Sequence, residues 1–170
     1  MPSPARTLPF DPIAEARRRW DERWPGGAPM AAATSIMRAQ QIVLARVDEA
    51  LRPFELTFAR YEALVLLSFS RRGSLPLGKM GERLMIHPTS VTNIVDRLEA
   101  QSLVRRVDHP TDRRTTLCEI TAAGRRRVSE ATDAVTAVHL GIDGLTDREI
   151  EQLTRLLGKL RSSAGDEVGR

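Results

Sequence analysis

Short hydrogen-bonding side chains at the start of an amphipathic helix can meet the edges of bases, and the segment after His87 has that composition. Pro88, Thr89, Ser90, Thr92 and Asn93 come first, with Asp96 and Arg97 one turn on. Further along, Asp108-His-Pro-Thr-Asp-Arg-Arg-Thr115 places Arg113 and Arg114 beside Asp112 and close to His109. Guanidinium groups on a turn can reach a phosphate or enter a minor groove, and Asp112 could hold one of them by a charge-assisted hydrogen bond. His109 could meet a phosphate as well. The chemistry on offer is hydrogen bonding and charge neutralisation along a duplex.

Such groups need elements that aim them. Val91, Ile94, Val95 and Leu98 recur at i, i+3, i+4 and i+7, which predicts a helix from Pro88 to Ala100 with one apolar stripe. Proline suits a first helical position because its missing N–H would have no partner there. The opposite face then carries Thr89, Asn93, Asp96 and Arg97. A shorter helix precedes it, Leu77 to Met85, with Leu77, Met80 and Leu84 on one side. Behind it, Leu103–Val107 and Thr116–Ile120 read as two strands around a turn that holds Pro110 and two aspartates. Helix, recognition helix and basic wing in that order predict a winged helix-turn-helix.

These segments, with Leu56-Thr-Phe-Ala-Arg-Tyr-Glu-Ala-Leu64, Asp96-Arg-Leu-Glu99, Leu103-Val-Arg-Arg106 and Ile120-Thr-Ala-Ala-Gly124, resemble the MarR (multiple antibiotic resistance regulator) family over about residues 30–160. The D-x-x-x-D-R-R wing is the most specific piece. The resemblance implies a homodimeric repressor whose affinity for double-stranded DNA falls when a small molecule binds.

Composition agrees. The 170 residues are enough for about one domain, and 41% hydrophobic residues can build a core without disulfides or metal. Net charge is only +4, but residues 71–127 hold twelve Lys/Arg against six Asp/Glu, so the positive charge gathers on the proposed reader. No run of about 18 apolar residues and no secretory signal pattern is present, and the single cysteine allows no internal disulfide. A cytoplasmic protein without a membrane span is expected.

The remaining pattern is helical. Helices are predicted from about Asp11 to Trp24, from Ala28 to Arg52 with Ile36, Val43, Leu44, Val47 and Leu51 on one side, and from Thr57 as N-cap with Tyr61, Leu64, Val65, Ser68 and Phe69 inward. Arg72-Gly73-Ser74 ends the third. Thr121 opens another, carrying Val128, Val135 and Val138 and broken by Gly141 and Gly144. Thr146-Asp-Arg-Glu149 is a capping box before a last helix with Ile150, Leu153, Leu156, Leu157 and Leu160. The expected fold is mainly α with a small β wing, its N- and C-terminal helices forming a dimerisation domain. The expected parts are an N-terminal extension (1–27), a dimerisation helix (28–56), the winged helix-turn-helix (57–124), C-terminal dimerisation helices (125–161) and a flexible tail (162–170).

The N-terminal helix resembles that of the family's urate-responsive branch. That resemblance implies a ligand pocket with Trp20, Glu62 and Arg106; the branch's second arginine falls near Ile94, an apolar residue that supplies no donor. With Arg106 and Arg38 able to grip carboxylates, a different small anion, such as a tricarboxylate or an aromatic acid, is the expected effector.

Other residues have blander roles. Cys118 lies within a strand without an activating neighbour and is expected to be buried and structural. Arg125-Arg126-Arg127 point in different directions at a helix start, so they need not form one basic patch. His87, His109 and His139 show no metal-ligand spacing, and no cofactor is expected. A Gly-rich phosphate loop and a nucleophile–base pair are lacking, which disfavours an enzyme. The competing binding class is an architectural protein that coats or bends DNA without sequence preference.

Overall fold

The computed structural model describes residues 9–112 and 114–166, and the chain divides into two compact units, 1–45 and 46–170.

In the first unit, helix α1 (Pro12–Asp21) begins where Asp11 accepts the Ile13 amide at 2.9 Å, with Pro12 at the first helical position. Its arginines are tied along the helix: Glu15 bonds Arg18 and Arg19, which pulls the Glu15 carboxyl down to about 2. The predicted extension of α1 to Trp24 is corrected, because residues 22–24 form a turn and Trp20 Nε1 donates to the Pro25 carbonyl at 3.0 Å. Trp20 and Trp24 meet edge to face, 5.2 Å apart. Asp21 then receives the Gly27 amide at 3.1 Å where helix α2 (Gly27–Leu51) starts.

The second unit includes the end of α2, where Val47 and Leu51 are buried. A 3-10 turn (Arg52–Phe54) leads to α3 (Phe58–Phe69). Thr57 occupies the cap position, but its side chain makes no capping bond; Asp48 accepts the Phe58 amide at 2.7 Å instead. Tyr61, Ala63, Leu64 and Leu67 form the inner face of α3, whereas Phe69, expected inward, is 82% exposed. The chain turns at Arg72 and Gly73 after α3, as expected of a helix end there, and Ser74 then begins strand β1 (Ser74–Pro76), which was not predicted. Three residues ending in proline give no period to read.

Helix α4 (Leu77–Leu84) and helix α5 (Pro88–Ala100) follow, joined through Met85 in the left-handed region at φ 54°. Gly81 lets them approach, since a Cβ there would sit 3.3 Å from both the Ile86 carbonyl and a Val91 methyl. Strands β2 (Val104–Asp108) and β3 (Thr116–Ile120) pair antiparallel with Val104 opposite Ile120, and β1 adds to the far side of β3 with Leu75 opposite Cys118, for the order β1-β3-β2. Helix α6 (Ala122–Ala137) is capped by the Thr121 hydroxyl, which accepts the Gly124 amide at 3.0 Å. A 3-10 turn (His139–Gly141) precedes α7 (Asp147–Ser163), whose Glu149 carboxylate accepts both the Thr146 amide and its hydroxyl at 2.8 and 2.7 Å. Arg46 holds this turn by donating to the Gly141 carbonyl at 3.2 Å and pairing with Asp143.

The core of this unit is apolar throughout. Leu51, Leu64, Leu67, Met80, Val95, Leu98 and Val104 lie at its centre, closed by Val128, Ala131 and Val135 of α6. Each fully buried Leu or Met side chain contributes roughly 1.5–3 kcal/mol. Val138, expected on the same stripe, is 36% exposed because α6 has already ended.

Candidate nucleic-acid interface

Helix α5 separates its residues by function. Val91, Ile94, Val95 and Leu98 are buried, while Pro88, Thr89, Ser90, Thr92, Asn93 and Arg97 are all exposed. The packing of the apolar stripe thereby fixes the direction of the polar face. At the start of α5 the His87 ring, through Nδ1, accepts the Thr89 amide at 3.3 Å. The Thr92 hydroxyl donates back to the Pro88 carbonyl at 3.3 Å, which leaves its lone pairs as acceptors for an incoming donor. Ser90 and Asn93 project with no side-chain hydrogen bond among the described residues.

The wing tip is an internally bonded loop. The His109 amide bonds the Thr115 carbonyl at 3.2 Å, and His109 Nδ1 accepts the Asp112 and Thr111 amides at 3.2 and 3.4 Å. With Nδ1 accepting, neutral His109 carries its proton on Nε2, and that nitrogen is the one available to donate to a phosphate. Asp112 does not grip a described guanidinium as expected. Its carboxylate accepts the Arg114 amide at 3.0 Å and the Thr115 hydroxyl at 2.7 Å, and these bonds, the hydroxyl first, hold its pKa below the usual range. Asp112 thus shapes the backbone and leaves the exposed Arg114 side chain to other partners. Arg113 lies outside the described residues.

Between α4 and the wing runs a crevice of about 560 Å³ lined by Lys79, Glu82, His109, Arg114 and Thr116. Lys79 has no place among the residues singled out from sequence. The available signal was that it is one of two lysines in the chain and sits on the first turn of the helix before the recognition helix.

The four residues expected at an effector are distributed over both units. Trp20 and Arg38 are exposed in the first, and Arg38 donates to Gln41 at 3.1 Å. In the second, Glu62 is exposed as a residue, yet desolvation of its carboxyl raises its pKa. Arg106 is already engaged: its guanidinium pairs with Glu99 and, at 2.5 Å, with Asp96, while its amide donates to Glu99 at 2.8 Å. Desolvation works against its charge, but the two carboxylates outweigh that and raise its pKa. Ile94 is buried in the core. A separate groove of about 420 Å³ between α3 and α6 is lined by Tyr61, Val65, Phe69 and Val128, with Arg125 and Asp133 of α6 also on its lining.

Arg127 donates to the Phe54 carbonyl at 2.6 Å, and Arg125 and Arg126 are exposed, so the three successive arginines do diverge. Cys118 is fully buried, and burial pushes its thiol up to about 12. Among the described residues no cluster of three or more His, Cys, Asp or Glu could hold a metal ion, and no helix is long and apolar enough to cross a membrane.

Comparison with known proteins matches this architecture. The MarR family model covers residues 57–116, from the cap of α3 to the first residue of β3. Sco3205, a MarR family transcriptional regulator from Streptomyces coelicolor solved in complex with DNA, superposes with a TM-score of 0.76 at 24% identity, covering 85% of this chain and 92% of its own. CouR from Rhodococcus jostii RHA1, solved bound to p-coumaroyl-CoA, does so with a TM-score of 0.68 at 28% identity over 82% and 95%. Sco5413, another MarR family transcriptional regulator from Streptomyces coelicolor, is 50% identical with a TM-score of 0.78, and the match covers 85% of this chain and all of that one. The chain belongs to the MarR family of winged helix-turn-helix transcriptional regulators.

Proposed function

We propose that the protein is a homodimeric, cytoplasmic repressor that reads a pseudo-palindromic operator and releases it when a small anionic or aromatic acid binds. The observation that carries the reading is the division of α5, with an apolar face fully committed to the core and a polar face of Thr89, Ser90, Thr92, Asn93 and Arg97 left exposed beside a basic wing. Asn93, with both donor and acceptor, suits an adenine edge in the major groove, and Thr89, Ser90 and Thr92 suit phosphates or neighbouring bases. Arg114, with Arg113, Asp112 and His109 of the same wing, serves the backbone or minor groove. Sco3205 bound to DNA supports the assignment by analogy of fold.

A dimer is supported by α7, where Leu153, Leu156 and Leu160 are 40%, 52% and 54% exposed along one stripe. Monomers rarely leave such a row uncovered. Two copies would present two recognition helices to half-sites about one helical turn apart, roughly 34–36 Å. The parts proposed for pairing are residues 28–56 and 125–161, flanking the reader at 57–124, with residues 1–27 as an added helix and 162–170 as a tail of which the last four residues lie outside the described range.

For the effector, buried Ile94 offers no donor where the urate-responsive pattern has arginine, so a small acid other than urate is favoured. The groove beside Phe69 has apolar walls and a guanidinium, and Trp20, Arg38, Glu62 and Arg106 stay in the proposal as ligand residues. An anion reaching Arg106 would have to displace Asp96 or Glu99 of α5, which couples binding to the recognition helix. CouR, solved bound to p-coumaroyl-CoA, supports by kinship a small-molecule effector with an aromatic acyl part, but not a free acid in particular.

The test is selection of sheared genomic DNA on the purified protein, sequenced with and without small carboxylates, urate and phenolic acids. Enrichment of one pseudo-palindrome that a single compound abolishes supports the repressor. Uniform recovery of all sequences would make it an architectural protein instead.

A further inference from the structure

Arg106 was expected to face a ligand, yet it stands where the wing meets the recognition helix. It comes from β2, and both carboxylates it holds come from α5, three residues apart. The third bond, from its own amide to Glu99 at 2.8 Å, fixes the strand backbone to the same helix. Asp96 is exposed on the polar side of α5 next to Arg97, where a free carboxylate would face phosphates. Nothing else described pairs with Asp96 or Glu99.

We propose that Arg106 is a positioning residue for DNA reading: it ties the wing to the recognition helix at a fixed separation and neutralises the two helix carboxylates, without itself touching DNA. The proposal rests on α5 and the wing being the DNA-reading pair. A guanidinium can do this because its planar fork reaches two carboxylates at once, which an ammonium on a flexible stem cannot do with the same geometry. Loss of the tie leaves two adjacent uncompensated carboxylates on the reading helix and frees the wing to move relative to it. The helix and wing then no longer meet the groove and the backbone together.

The experiment compares the wild type, Arg106→Gln, Arg106→Lys and the triple variant Arg106→Gln/Asp96→Asn/Glu99→Gln. Affinity is measured for the duplex recovered from genomic selection and for a random duplex, over a range of salt. Arg106→Gln is expected to lose about tenfold or more on the selected duplex and less on the random one, so that discrimination narrows. The triple variant, with no unpaired carboxylate, is expected to recover the general affinity lost to uncompensated charge while its discrimination stays narrowed, because the tie is still absent. Arg106→Lys should keep affinity for random duplex while losing discrimination. Failure of the triple variant to recover, with a salt slope lower by about one in every Arg106 variant lacking the charge, would make Arg106 a direct phosphate contact and overturn the proposal. Wild-type discrimination in Arg106→Lys would overturn it too.

A second readout needs no operator. Spin labels at Ser90→Cys and Thr111→Cys report the helix-to-wing distance, and native Cys118 is buried away from the label. A single narrow distribution should broaden in Arg106→Gln and stay broad in the triple variant, which lacks the guanidinium tie as well. Unchanged widths sink the tie even if DNA reading stands, whereas broadening in a protein whose wild type prefers no duplex would fault the DNA assignment and not the tie. Circular dichroism of each variant separates either result from unfolding, and Glu99→Gln alone provides a milder break if Arg106→Gln fails to fold.

Discussion

Leu98 of α5 and Leu156 of α7 are both leucines on the apolar stripe of an amphipathic helix, but Leu98 is fully buried and Leu156 is half exposed. The first stripe finds α3, α4 and the sheet within its own chain. The second has no buried residue along seventeen positions. An apolar stripe therefore says that a face must be covered, and says nothing of what covers it. In the reading region the cover is intramolecular and fixes the aim of the polar face. On α7 no residue is buried within the chain, and the proposed dimer is what would cover the stripe.

The sharpest way to break this comparison is to make the same cut in both places. Leu98→Ala should cost about 2–5 kcal/mol in chemical denaturation, because a sealed core keeps the cavity. A loss as small as that of an exposed site would mean α5 is not held as described. Gly124→Ala comes next, since its Cβ would lie 2.1 Å from the Leu103 carbonyl and 2.8 Å from Ile120. A shift of α6 against the sheet should cost about 1–3 kcal/mol in thermal melts.

On the polar face, Asn93→Ala should reduce discrimination between selected and random duplex by about 1–3 kcal/mol, and Arg114→Ala should weaken both and lower the salt slope by about 1. Equal losses for Asn93→Ala on the two duplexes would remove it from base contact. Leu156→Ala should change the unfolding of separated chains by no more than about 0.5 kcal/mol yet weaken self-association in sedimentation equilibrium. Unaltered association would leave the α7 stripe without its proposed partner.

The smallest effect concerns acid. The Asp112 pKa is lowered in the folded wing, so its bonds to Thr115 and Arg114 add stability that is present above the ordinary value of 3.8 and lost as pH falls through the lower folded value. Amide exchange at Arg114 and Thr115 should rise only in that acid window, and a rise already near neutral pH would contradict the assignment.

Much of the reader was legible because local chemistry and long-range packing agree there. Pro88 opens α5 as expected, its four apolar positions are the buried ones, and Thr121 and Glu149 cap the helices they were expected to cap. The misses share a cause. Asp48 replaces Thr57 as the group that receives the first free amide of α3, from ten residues upstream, and β1 exists only because β3 offers it an edge. Phe69 fits the helical period but falls where α3 runs past the core. Each depends on a partner distant in sequence, which periodicity does not register.

The candidate site divides in the same way. Residue types and spacing put hydroxyls, an amide and arginines on a helix and a turn, because period 3.6 and turn propensity are local properties of the chain. Which partners those groups keep was decided by the tertiary fold. It turned Asp112 to the Arg114 backbone, placed Lys79 on the crevice beside the wing, and set Arg106 between Asp96 and Glu99, since only folding brings a strand and a helix close enough for one guanidinium to reach two carboxylates.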